Sequence, residues 1–128
     1  MKKLLLGLIM TTLLVGINEQ VSAAATMIDY EEVKLPSDLE YTMCRNSGYV
    51  TVPLGARLGL YIDSYSDANV LWYLKDSNNN VHDHGVLWNN SEIVNKRRDI
   101  PAGKFYLKIC QNELANGGSG IGKISVWK

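Results

Sequence analysis

A tight turn that runs straight into a strand constrains this chain more than any other feature. In the stretch Asp99-Ile100-Pro101-Ala102-Gly103-Lys104-Phe105-Tyr106-Leu107-Lys108-Ile109-Cys110, Pro101 presets φ for a turn and Gly103 accepts the positive φ that ends one. Beyond the turn, Phe105, Leu107 and Ile109 fall on one face, and Lys104, Tyr106 and Lys108 on the other. Cys110 shares the second face. A period of two with one apolar side requires a half-buried sheet, and the remaining segments are read as its companions.

Similar strand signals recur along the chain. Residues 57–65 alternate Leu58, Leu60 and Ile62 against Arg57, Tyr61 and Asp63. Residues 70–75 put Val70, Trp72 and Leu74 on one face and Leu71 and Tyr73 on the other, so both faces are apolar and the strand is central or covered. The turn Asp76-Ser77-Asn78-Asn79-Asn80 leads into a partner strand over residues 81–88, with a bulge expected at Gly85. Shorter strands are expected at residues 41–44, 49–52, 91–98 and 121–127. Residues 46–48 and 53–55 are read as turns, and residues 116–120 as a flexible loop. If Tyr41 and Met43 point inward, Cys44 points outward. No segment shows a sustained helical period with caps. Seven or eight short strands, spaced about ten residues apart, make an all-β chain: an antiparallel two-sheet sandwich or a small barrel.

The first residues are set aside. Lys2 and Lys3 precede an uncharged apolar run over residues 4–17, and Val21-Ser22-Ala23-Ala24-Ala25 supplies small residues for cleavage. This is the pattern of a secretory signal peptide over residues 1–25, shorter than the roughly 20 apolar residues a membrane span requires. The expected location is therefore secreted and extracellular, with no membrane association after cleavage. Residues 26–39 carry Asp29, Glu31, Glu32 and Asp38; they form an N-terminal arm or an edge strand, and their polarity favours a solvated arm. Residues 40–128 make one sandwich domain. Removing Lys2, Lys3 and Glu19 leaves 11 of the 13 basic and 12 of the 13 acidic side chains, a net charge of about −1. That balance gives no electrostatic case for nucleic acid.

Several of these segments together resemble a known family, the pre-peptidase C-terminal domain, a small β-sandwich of secreted bacterial enzymes. Residues 74–81 resemble its strand and Asp-Ser-Asn turn, and residues 100–109 its Pro-Ala-Gly turn and strand. Residues 120–127 are similar to its closing strand, and residues 50–56 to its Val-Pro-Leu-Gly entry. The resemblance covers residues 48–128. It implies a sandwich of jelly-roll type with an accessory or binding role, and no reaction.

Candidate sites are few. Cys44 and Cys110 are the two cysteines. Outside the cell a single pair is either bridged or left as two thiols; a bridge across that loop would add about 4 kcal/mol in the chain-entropy model. If formed, it lies on the outside of a sheet. His82 and His84 would share one strand face about 7 Å apart, a start for a metal site if a third ligand converged, and otherwise a polar face. Asp63, Asp67, Asp76 and Asp83 suit either calcium or ordinary turn chemistry. Tyr61, Tyr65 and Trp88 are surface candidates for ligand stacking, whereas Trp72 reads as core. Lys96-Arg97-Arg98 reads as a solvated strand end. No residue set implies a cofactor, no Gly-x-Ser-x-Gly elbow is present, and no residues single out a carboxylate pair. The chain is expected to be a secreted, non-catalytic binding or accessory protein for an extracellular protein or polysaccharide. The alternatives are an inhibitor or protective partner of a secreted enzyme, engaging through residues 112–120, and a small secreted hydrolase.

Overall fold

The computed structural model describes residues 25–36, 44–65, 69–88, 92–111 and 119–128. Through them run β1 (Met27–Leu35), β2 (Cys44–Asn46), β3 (Val50–Val52), β4 (Arg57–Ser64), β5 (Val70–Asp76), β6 (Val81–Leu87), β7 (Glu92–Asp99), β8 (Gly103–Gln111) and β9 (Gly120–Trp127). No helix occurs among the described residues. Every ladder is antiparallel. Two open sheets result, rather than a barrel: a four-stranded sheet ordered β1-β9-β4-β7 and a five-stranded sheet ordered β2-β8-β5-β6, with β3 also on β8. Only the β2–β3 and β5–β6 connections stay within one sheet; all the others cross. This is an antiparallel β-sandwich of jelly-roll type.

The period-two reading accounts for the core. Leu58, Leu60 and Ile62 of β4 and Ile124 and Val126 of β9 face Val70, Trp72 and Leu74 of β5 and Phe105, Leu107 and Ile109 of β8 in one buried cluster. Each such aliphatic or aromatic side chain contributes about 1.5–3 kcal/mol on leaving water. β5 lies between β8 and β6, with Val70, Trp72 and Leu74 in the core and Leu71 and Tyr73 half-buried on the outer face. Gly103, at φ +151°, opens β8 where the chain crosses between the sheets.

Three local expectations change. Residues Met27–Leu35 form a paired edge strand on β9, not a solvated arm, because Val33 and Leu35 join the core. Residues 46–48 do not reverse the chain: β2 and β3 run along the same side of β8. Ser47 bridges the gap between them, its N–H donating to Leu107 O at 2.8 Å and its Oγ accepting from Leu107 N at 2.9 Å. The bulge in the β5–β6 hairpin is not at Gly85. Leu74 pairs Asp83 and Lys75 pairs Val81, which leaves His82 as the extra residue. Gly85 instead lies opposite Trp72, and a Cβ there would come within 2.8 Å of the Trp72 indole nitrogen.

Cys44 and Cys110 are directly opposed across β2 and β8 and form a disulfide, with Cα atoms 4.0 Å apart. Neither belongs to the central core cluster. The bridge sits on the outer face of the five-stranded sheet, with Cys44 exposed and Cys110 buried.

Candidate functional site

The outer face of the four-stranded sheet carries a groove, and its position follows from register. In β4, Gly59 and Tyr61 alternate with the core residues Leu58, Leu60 and Ile62; in β9, Lys123, Ser125 and Trp127 alternate with Ile124 and Val126. Tyr30 pairs Ser125, and Ser125 pairs Gly59, so these three lie in one row across β1, β9 and β4. The next row is Glu32, Lys123 and Tyr61. Gly59, without a side chain, lets its neighbours on β9 settle against β4 in the middle of this ring-bearing face. A Cβ at that position would meet Ser125 Oγ at 2.7 Å and Trp127 Nε1 at 3.1 Å. Beside them opens a groove of about 240 Å3 whose lining includes Met27, Tyr30, Tyr61, Lys123, Ser125 and Trp127.

The groove's polar atoms are held in fixed roles. Tyr30 OH donates to Glu32 Oε2 at 2.8 Å, and Trp127 Nε1 donates to Ser125 Oγ at 2.8 Å. Tyr61 OH lies 3.2 Å from Asp63 Oδ2 and 3.4 Å from Glu92 Oε2. Partial burial, then the hydrogen bond to Glu32, pushes Tyr30 up to about 12. Partial burial followed by the hydrogen bond to Asp63 does the same for Tyr61. Both phenols therefore stay neutral, with their protons committed to carboxylates and their oxygens presented as acceptors. Lys123 Nζ sits 5.2 Å from the centre of the Tyr61 ring, within cation–π range. Chemically, the groove offers flat rings, acceptors and one fixed cation.

Of the sequence candidates, Tyr61 lines this groove; Tyr65 and Trp88 do not. Tyr65, 58% exposed, follows β4, and its phenol is pushed up by partial burial and by the charges of Asp63 and Glu32. Trp88, 63% exposed, follows β6 on the other sheet. Trp72 is core.

The two histidines are not brought to a common face. The bulge at His82 breaks the alternation: His82 packs edge-on against the buried Phe105 and its Nε2 lies 2.8 Å from Asp76 Oδ2, whereas His84 stacks on Tyr73 of the outer face. Asp76 Oδ1 also accepts from Asn78 N and Asn80 N, so this carboxylate closes the hairpin turn. The His82 contact, more than these, holds the Asp76 carboxyl down at about 2. Asn79 takes φ +66° in the same turn. Asp63 accepts from Tyr61, and Asp83 accepts from His84 N; Asp67 and residues 112–118 lie outside the described residues. Among the described residues no three His, Cys, Asp or Glu side chains gather as a metal site.

Sequence reading did not single out Met27, Tyr30, Gly59, Lys123 or Ser125. The available signal was a glycine inside a strongly alternating strand, which often marks a bulge or a place where something else approaches closely. Tyr30 was hidden by the acidic composition around it.

Searches of protein-family models and of curated protein sequences return no match. Among solved structures, the chain is similar to the pre-peptidase C-terminal domain of a collagenase from Bacillus anthracis, at 18% identity, covering 80% of this chain and 88% of that one, with a TM-score of 0.46. It is also similar to PirA, at 11% identity over 77% of this chain and 94% of that one, with a TM-score of 0.46.

Proposed function

We propose that this protein is a secreted, non-catalytic binding module that holds an extracellular polysaccharide or protein in the groove of its four-stranded sheet. The observation that carries the reading is the groove itself: a space of about 240 Å3 on a sheet face lined by Tyr30, Tyr61 and Trp127. Concave, largely apolar surfaces with a few fixed polar groups are the usual form of ligand sites. The signal-like residues 1–25 and the Cys44–Cys110 bridge support an extracellular setting. The non-catalytic reading is supported by both thiols being bridged and by the engagement of His82 with Asp76 and His84 with Tyr73.

Site-specific photo-crosslinking tests this reading. A photoreactive phenylalanine replaces Tyr30 in one preparation and Tyr73, on the opposite outer face, in another. Illumination in culture supernatant and with cell-envelope material should give adducts from position 30 and not from position 73. Equal labelling from both positions, or none from position 30, contradicts the proposal. Turnover in a glycoside and peptide hydrolase panel would contradict its non-catalytic part.

A further inference from the structure

We infer that the groove takes a neutral saccharide chain, its sugar rings resting on the aromatic walls. This rests on the groove being the binding surface and adds the chemical class of the ligand.

Charge narrows the class first. A cationic ligand would seek the electron-rich face of an aromatic ring, but Lys123 already lies over Tyr61 and repels a second cation. An anionic ligand would meet Glu32, directly opposite Lys123 in register, together with Asp63 and Glu92 at the Tyr61 hydroxyl. Lys34, 3.8 Å from Glu32, is drawn to that same carboxylate. Neither sign of charge has a prepared seat.

Backbone chemistry then separates a saccharide from a peptide. Peptides commonly bind a sheet by adding a strand to an open edge, where unpaired N–H and C=O groups wait. The groove meets an edge only at β1, through Met27 and Tyr30. It lies over β9 and β4, each paired on both sides, so its floor has no free ladder of amides. Recognition there falls to side chains.

Those side chains match a sugar. The rings of Tyr30 and Trp127, with the part of Tyr61 that Lys123 does not cover, provide flat apolar surface for the C–H face of a pyranose. The oxygens of Tyr30 and Tyr61, whose protons go to Glu32 and to the Asp63–Glu92 pair, are left as acceptors, as are the outer lone pairs of those carboxylates. A ligand that brings its own donors around a flat apolar ring is a polyhydroxylated one. Gly59 lets Ser125 and Trp127 sit against β4, so any side chain at 59 would push these two groove residues out of place.

Calorimetric titration of the full chain with neutral hexasaccharides of β-1,4-glucose, α-1,4-glucose and β-1,4-N-acetylglucosamine tests this. Saturable binding to at least one is expected. Tyr30→Ala should weaken it by about tenfold, the loss of one well-packed ring contact, and Trp88→Ala should leave it unchanged. Because Trp127 is tied to Ser125, Trp127→Ala also disturbs folding; Gly59→Ala, with melting temperature as its control, is the second groove variant and should abolish binding. Binding confined to uronate or sulfated saccharides and lost in Lys123→Gln would overturn the neutral class. If no saccharide binds while position 30 still crosslinks a protein, the saccharide is wrong and the groove stands. Failure of both assays overturns the groove as well.

Discussion

The two outer faces of this sandwich are built from the same alphabet of tyrosines, lysines and short aliphatics, yet they are finished differently. On the five-stranded sheet the side chains fill each other's space. Tyr106 meets Tyr49 edge-on at 5.3 Å between ring centres and donates to Asn79 Oδ1 at 2.9 Å. Tyr73 stacks with His84 and has Lys108 Nζ 6.0 Å from its ring centre, and the Cys44–Cys110 bridge ties β2 to β8. On the four-stranded sheet, Gly59 interrupts the pattern and a groove opens between rings. One face spends its aromatics on itself. The other leaves them turned toward a space, and that contrast is why binding is placed there.

Perturbations of the stapled face should therefore change stability and spare binding. The largest effect is expected from the double change Cys44→Ser and Cys110→Ser: about 4 kcal/mol of unfolding free energy in the chain-entropy model, read by urea denaturation, with ligand titration unchanged in the folded fraction. Next comes Gly85→Ala, on the core side of the same sheet, whose added methyl would lie 2.8 Å from the Trp72 indole nitrogen; overpacking of about 1–3 kcal/mol is expected, visible as a lower melting temperature. Tyr106→Phe removes the bond to Asn79 and should cost about 1 kcal/mol. Any of these weakening ligand binding in folded protein would erase the distinction between the faces.

The smallest effect is confined to acid. Asp76 is held down at about 2 in the folded chain, chiefly by His82. A lowered carboxyl pKa contributes stability that is present above the unfolded value of about 4 and is lost as pH falls toward about 2. Asp76→Asn should flatten that part of the acid-denaturation profile, followed by circular dichroism, and leave the groove untouched. An unchanged acid limb would show that the His82 contact does not contribute.

How much of this was legible in the residues depends on whether alternation was intact. Residues 104–110 alternate in sequence and sit on the faces that alternation assigns, with Phe105, Leu107 and Ile109 in the core and Cys110 on the other side, although Tyr106 and Cys110 are buried there too. Where one residue breaks the period, inference failed. The extra His82 rotates that side chain away from His84, and nothing in Val81-His82-Asp83-His84 announces a bulge. β1 was obscured for a different reason: only Val33 and Leu35, at its far end, reach the core cluster, so its first half reads as acidic and solvated although it is paired on both sides of a bulge at Ile28. The groove needs three strands from opposite ends of the chain, with Tyr30, Ser125 and Gly59 meeting only through register. A single sequence does not carry cross-strand register, so Tyr61 could be picked out but its neighbours could not.

Backbone amide shift mapping during titration with a hexasaccharide that binds tests the central claim most directly, since it reads both faces in one experiment. The expected result is progressive shifts at Tyr30, Gly59, Tyr61, Lys123, Ser125 and Trp127, with Leu71, Tyr73, His84 and Lys108 unmoved. Shifts centred on Tyr73 and Lys108 instead, with Gly59 and Ser125 silent, would contradict the account and move the binding surface to the stapled face.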